Sequence, residues 1–151
     1  MIAALDSNVM IYAEGMNDEV RRDNAHSFLA ALGKDRIVLP LQAVGEMTRA
    51  HIRVGKKQPD FAAERARAWM VCHKVQETTL EVFEDALELS ARHRLQLWDS
   101  IILSAAAVAG ASVLLSEDMQ NGFRWREVTI INPFAFTPRE LIEFMSLSVR
   151  H

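Results

Sequence analysis

The sequence predicts an α/β fold, a three-layer α/β/α sandwich around a short parallel sheet, on three observations. Short apolar runs alternate along the chain with longer helical stretches. The runs are apolar throughout rather than alternately polar, as strands covered on both faces are. Glycine and proline stand at several of the junctions between them.

Taken in order, residues 1–5 form an apolar run that stops at Asp6 and read as a buried strand. Residues 18–32 read as a helix whose apolar stripe is Val20, Ala25, Phe28, Leu29 and Leu32, with Gly33 ending it. Residues 36–39 make a second strand closed by Pro40, and residues 41–54 a helix stopped by Gly55. Residues 61–72 are helical by their alanines and the spacing of Phe61, Ala62, Arg65 and Trp69. Residues 74–78 make a third strand. Residues 79–93 form an amphipathic helix with Val82, Phe83, Ala86, Leu87 and Leu89 opposite a glutamate face. Residues 98–109 are apolar nearly all round, as a helix buried in the middle of a fold would be. Gly110 ends it, residues 111–115 and 128–131 supply the fourth and fifth strands, and residues 138–147 a last helix with proline at its start.

The 151 residues fit one domain with one core, and no repeat, linker or low-complexity tract divides them, so a single domain is expected over residues 1–151. Half of the residues are hydrophobic and a quarter charged, the balance of a folded rather than a disordered chain. The single cysteine, Cys72, excludes an internal disulfide; its neighbours Trp69, Met70 and Val71 suggest a buried, inert thiol. The start of the chain has no basic segment or cleavage-site pattern, and the longest apolar run, residues 101–113, is too short to span a bilayer. A cytoplasmic protein with no membrane association is expected. A net charge of −3 argues against wholesale coating of nucleic acid and leaves room for a local basic patch.

In a parallel α/β sheet, ligands bind outside the carboxyl ends of the strands. Asp6 lies at the end of the first strand and Asp118 just past the end of the fourth. Asp99 opens the buried helix, and Glu46 lies within the helix of residues 41–54. Singly, each has an ordinary reading: Asp99 as a helix cap or dipole partner, Asp6 as a helix cap, Asp118 as a turn residue, Glu46 as part of a solvated face. Together, three acids fall at the ligand-binding edge. Such a cluster suits Mg²⁺ or Mn²⁺, which take carboxylate, water and phosphate oxygens, and it suits phosphodiester hydrolysis without a protein nucleophile.

Four short stretches carry a resemblance. They are Leu5-Asp6-Ser7-Asn8-Val9-Met10-Ile11-Tyr12, Val44-Gly45-Glu46, Trp98-Asp99-Ser100-Ile101-Ile102 and Leu114-Leu115-Ser116-Glu117-Asp118. In their order and placement the chain resembles the PIN-domain family, and within it the VapC-like toxins of toxin–antitoxin pairs. The resemblance implies a PIN-like fold and a metal-dependent endoribonuclease. Asp6, Glu46, Asp99 and Asp118 would be its acids, with Ser116 and Asn8 supporting them by hydrogen bonds. It also implies an RNA substrate, a cognate antitoxin and a homodimer. The chain departs from the pattern at Asn121, where similar sequences often carry a further aspartate. That leaves a fifth acid and a second metal open, with Glu117 as an alternative.

Arg49, Arg53, Lys56 and Lys57, with His51, form a basic run after Glu46. Two readings stand: a solvated helix end whose cations suit the dipole, or a patch that grips RNA phosphates. Arg124 and Arg126 flank Trp125, which either packs against the last strand or offers a stacking surface. An aspartyl phosphatase is a rival function, but it requires Asp-x-Asp where this chain has Asp6-Ser7-Asn8, and an amide is no acid. A receiver domain would need a lysine at a strand end, and none is evident. A catalytically silent binding module of the same fold is the second rival. No phosphate-binding loop, dinucleotide fingerprint, zinc spacing or nucleophile elbow occurs, and His26, His51, His73, His93 and His151 show no ligand spacing.

Overall fold

The central strands are apolar three- and four-residue segments that pair because each is too short to satisfy its backbone groups alone and too apolar to stay in water; the edge strands are more polar. The computed structural model describes residues 1–148; His151 and the end of the expected domain lie outside them. The strands are β1 (Ala3–Leu5), β2 (Ile37–Pro40), β3 (Lys74–Gln76), β4 (Val113–Leu115), β5 (Arg124–Trp125) and β6 (Val128–Ile131), in the order β3-β2-β1-β4-β6-β5. All neighbours run parallel except β5, which is antiparallel to β6. Central strands β1, β2 and β4 are buried at every residue.

Among the described residues, seven helices flank the sheet: α1 (Ser7–Ala13), α2 (Glu19–Leu32), α3 (Leu41–Arg53), α4 (Pro59–Cys72), α5 (Leu80–His93), α6 (Leu97–Val108) and α7 (Pro138–Ser148). The chain steps from β1 outward to β2 and β3, then returns across to β4 on the other side of β1. Right-handed crossovers therefore put α1 to α4 on one face and α5 and α6 on the other. The helix α7 packs on α2, and α6 lies against β2, β3, β4 and β6. The main core runs through Leu5, Val9, Met10, Phe28, Leu39, Met47, Leu103, Leu114 and Ile130. A smaller cluster of Val82, Ala86, Ile101 and Ala105 joins α5 to α6. Among the described residues no helix is long and apolar enough to cross a membrane.

The α/β class and the order of the expected elements hold, with boundaries shifted by a few residues. Besides two short 3₁₀ turns, Lys34–Arg36 and Pro133–Ala135, two elements are absent from the expected order. The first is α1, the helix implied by the capping reading of Asp6, which accepts from the Ser7 amide. The second is β5, two residues long and too short for any periodicity, which makes the sheet edge antiparallel. Four expected burials are corrected. Trp98, read as part of a helix buried all round, is exposed in the first turn of α6. Cys72 is exposed, because it closes α4 on the face away from the sheet beside the exposed Val71. Val20 lies 70% exposed in the first turn of α2, before the helix reaches the core at Ala25 and Phe28. Leu87 likewise falls beside the buried line Val82, Ala86 and Leu89.

Two of the expected stops follow from different constraints. Gly110 ends α6 with φ at +78°, a left-handed value that a Cβ disfavours. At Gly55 the constraint is space, since a Cβ there would sit 2.8 Å from the His51 carbonyl oxygen.

Candidate active site

Pairing of Leu5 with Leu115 brings β1 and β4 to the same height at the carboxyl edge. The next residues of each strand therefore leave the sheet side by side. Asp6 follows β1 and is buried, its amide donating to the Leu115 carbonyl at 3.0 Å. Ser116 follows β4 and is fully buried; its hydroxyl donates to Asp6 Oδ2 at 2.6 Å. The Ser7 amide donates to Asp6 Oδ1 at 2.7 Å, so the helix cap and the site share one carboxylate.

Asn8, in the first turn of α1, joins the two strand ends. Its amide nitrogen donates to Asp6 Oδ2 at 3.2 Å and to Asp118 Oδ2 at 3.3 Å. Its own oxygen accepts from the Glu117 amide at 3.2 Å, which sets the amide's orientation. The Met119 amide donates to Ser116 Oγ at 3.2 Å, so the loop carrying Asp118 is tied to the same network. Asp118 itself is exposed.

Glu46 on α3 and Asp99 in the first turn of α6 complete the cluster electrostatically. Burial, then the charges of Asp6 and Asp99, push the Glu46 carboxyl up to about 7, with the Ser7 hydroxyl opposing the rise. Burial, then Asp6 and Asp118, push Asp99 up to about 6. Asp6 is raised too, chiefly by burial, although the hydrogen bonds from Ser116 and Ser7 favour its charged form. None of these acids is paired with a lysine or arginine among the described residues. Of the ordinary reading of Asp99 as a cap or dipole partner, the capping half fails, because the residue at that helix's cap is Gln96 and no side chain caps the end; its place in the first turn still suits the helix dipole.

Like charges gathered without a cation are a fit for a divalent ion, and one atom points the same way. Glu46 Oε2 is buried with no hydrogen-bond partner, which costs free energy unless something outside the chain satisfies it. Among the described residues, no three acidic, histidine or cysteine side chains converge closely enough to hold a metal alone. Mg²⁺ needs no such cage: one or two carboxylates suffice, with waters and substrate phosphate oxygens filling the octahedron.

Glu117 and Asn121, the alternatives for a further ligand, both have other partners. Glu117 turns away from the acids and accepts from Arg21 Nε at 2.6 Å and from the Tyr12 hydroxyl at 3.1 Å. The Arg21 guanidinium lies over the rings of Tyr12 and Phe134, at 5.5 and 5.7 Å from their centroids. Asn121 Oδ1 accepts from the Asn132 amide at 2.8 Å and so braces the loop.

The basic run does not form one surface. Arg49 lines a cleft with Gln42, Gly45, Glu46 and Trp98, beside the acids. Lys57 lines a different cleft with Glu14, Met16, His51 and Phe61, its ammonium 5.3 Å from the Phe61 ring centroid. Arg53 and Lys56 are exposed. His51 does not belong to the run: it is buried, and Nε2 lies 2.9 Å from Glu14 Oε1. Arg65 reaches the same carboxylate with two bonds of 2.7 and 2.8 Å. Burial alone would raise the Glu14 carboxyl, but these partners hold it below its ordinary value. No spacing in the sequence links residues 14, 51 and 65. Trp125 packs edge-on against His93, and Arg126 is held by Asp85 through two 2.9 Å bonds.

The PIN domain family model matches residues 3–124. No curated protein matches the chain. Solved structures similar to it include a toxin-antitoxin complex from Klebsiella pneumoniae, with TM-score 0.66 and 18% identity over 87% of this chain and 97% of that one. Another is VapC20 of Mycobacterium tuberculosis, described as a Sarcin-Ricin loop cleaving toxin, with TM-score 0.64 and 16% identity over 77% and 89% of the two chains. A third is VapBC2 from Rickettsia felis bound to a DNA fragment from its promoter, with TM-score 0.64 and 16% identity over 86% and 97%. At these identities the likeness is one of fold.

Proposed function

The chain belongs to the PIN-domain family, and from that premise we propose that it is a metal-dependent endoribonuclease acting as the toxin of a toxin–antitoxin pair. The observation that carries this reading is the pairing of Asp6 and Asp118 through one Asn8 amide at the sheet edge, with Glu46 and Asp99 raised beside them. Asp6, Asp99 and Asp118 would hold Mg²⁺ or Mn²⁺. The bound ion would supply charge neutralisation at the phosphate and a more acidic attacking water.

The chain's own residues do the rest. Ser116 and Asn8 fix the two strand-end carboxylates, so that Asp6 and Asp118 are placed before substrate arrives. Glu46 is the acid this reading assigns to taking a proton from the water that attacks phosphorus as the bond to the leaving ribose oxygen breaks, that oxygen taking its proton from solvent. Asn8 uses its amide to donate to both acids, so it leaves no second acid of the kind an aspartyl phosphatase needs. Arg49, Arg53, Lys56 and Lys57 are the cations this reading assigns to the RNA backbone.

The similar structures described as toxin–antitoxin assemblies support an antitoxin partner. We place the protein in the cytoplasm as a homodimer of single-domain chains, the setting this reading requires. The test is cleavage of single-stranded RNA by purified protein with Mg²⁺ or Mn²⁺. Cleavage that stops in EDTA and is absent in Asp6→Asn supports the reading. Undiminished cleavage in EDTA contradicts it, and hydrolysis of phosphate monoesters with RNA left intact would favour a phosphatase.

A further inference from the structure

The three tryptophans of this chain meet different fates. Trp69 is buried and stacks on His73, and Trp125 packs against His93 and the core. Trp98 stands 55% exposed, at the second position of α6 and next to Asp99. Leaving an indole in water forgoes a large burial gain, so an exposed one beside a polar cleft is a surface suited to a flat partner.

The cleft it lines is about 320 Å³, at the small end of the range for small-molecule sites. Its opposite wall is one face of α3, where Gln42, Gly45, Glu46 and Arg49 follow at helical spacing. Gly45 leaves that wall open, since a Cβ there would meet nothing within 4 Å. The wall therefore presents an amide, bare backbone, a carboxylate and a guanidinium toward an exposed indole.

We propose that Trp98 is the stacking platform for one nucleobase of single-stranded RNA, with the adjoining phosphate at Arg49 and the base edge within reach of the Gln42 amide. This deepens the nuclease reading and rests on it, because the scissile phosphate is placed at the acids next to Trp98. Stacking on an indole accepts any base, and Arg49 supplies the phosphate cation. Gln42 offers both a donor and an acceptor to a base edge.

The experiment is fluorescence-anisotropy titration of a labelled single-stranded RNA hexamer, and of a ribose-phosphate hexamer without bases. Both are titrated in Mg²⁺ into Asp118→Asn protein, whose substitution lies at an exposed position. In that background Trp98→Ala should weaken RNA binding about 5- to 150-fold, the range for loss of one stacked base. Trp98→Phe should keep most of the affinity, and the baseless chain should bind all three proteins alike. Unchanged RNA affinity in Trp98→Ala overturns the proposal, as does an equal loss for RNA and the baseless chain. A change of oligomeric state without a change in RNA affinity would make the indole a contact between protein chains and also overturns it. Cleavage of the hexamer by the unsubstituted protein is measured in parallel. Cleavage with a neutral Trp98 removes the stacking site alone; base-dependent loss at Trp98 without cleavage removes the nuclease reading alone and leaves the base site standing.

Discussion

Asn8 donates from one amide nitrogen to Asp6 at 3.2 Å and to Asp118 at 3.3 Å, joining two carboxylates that follow different strands. Two negative groups so placed repel, and the shared donor holds them in register at some cost in apoprotein stability. Replacing Asn8 by Leu keeps the volume and removes the donor. Metal affinity or RNA cleavage should fall about 10- to 100-fold, as for partners that orient metal-binding carboxylates. Full activity at wild-type metal concentration would show that the bridge does not position the acids.

The raised acids make the metal-free protein pH-sensitive in a definite direction. Glu46 rises from 4.5 to about 7 and Asp99 from 3.8 to about 6, so between these limits the native state binds more protons than the unfolded chain. Their contribution is complete below pH 4 and is lost as pH rises toward 8; with both carboxyls partly exposed and so screened by solvent, it is on the order of 2 kcal/mol or less for each group. Glu14, whose carboxyl is lowered, acts in the opposite sense and only below its ordinary 4.5. In EDTA the melting temperature should therefore drop between pH 5 and pH 8. In Glu46→Gln the drop should be smaller by several degrees. An identical pH profile in the two proteins would mean that Glu46 titrates normally.

Lys56 and Lys57 lie beyond the end of α3, and neither forms an ion pair among the described residues. If both grip phosphates, their joint replacement by Ala should flatten the salt dependence of RNA binding by up to about two contacts. An unchanged slope of log affinity against log salt would return them to an ordinary solvated helix end.

Much of this arrangement was legible because local chemistry and topology agree. Apolar runs that stop abruptly at Asp6 and Ser116 mark buried parallel strands, and parallel strands put their ends on one edge. What escaped was set by contacts distant in sequence or by very short segments. His51 reads as one more cation until Glu14, 37 positions earlier, is found against it. The choice between Glu117 and Asp118 depends on the Leu5–Leu115 register and on Arg21, which draws Glu117 away. Trp98 reads as one more apolar residue of a buried helix, because nothing local shows that its turn projects past the core. Cys72 reads as buried because its neighbours are apolar, yet α4 turns Val71 and Cys72 outward.

The central claim is that the acids at the sheet edge form one cation site, and Asp99 offers the cleanest probe of it. It caps no helix, so Asp99→Asn removes a charge without removing a cap. Thermal melts of both proteins, in EDTA and in saturating Mg²⁺ or Mn²⁺, test the claim directly. Binding to the native state alone stabilises it in proportion to the logarithm of ligand over dissociation constant. The wild type should gain several degrees from the metal. Asp99→Asn should be at least as stable without metal and should lose most of that gain. An equal metal-induced shift in the two proteins would remove Asp99 from the site and contradict a single metal centre built from these acids.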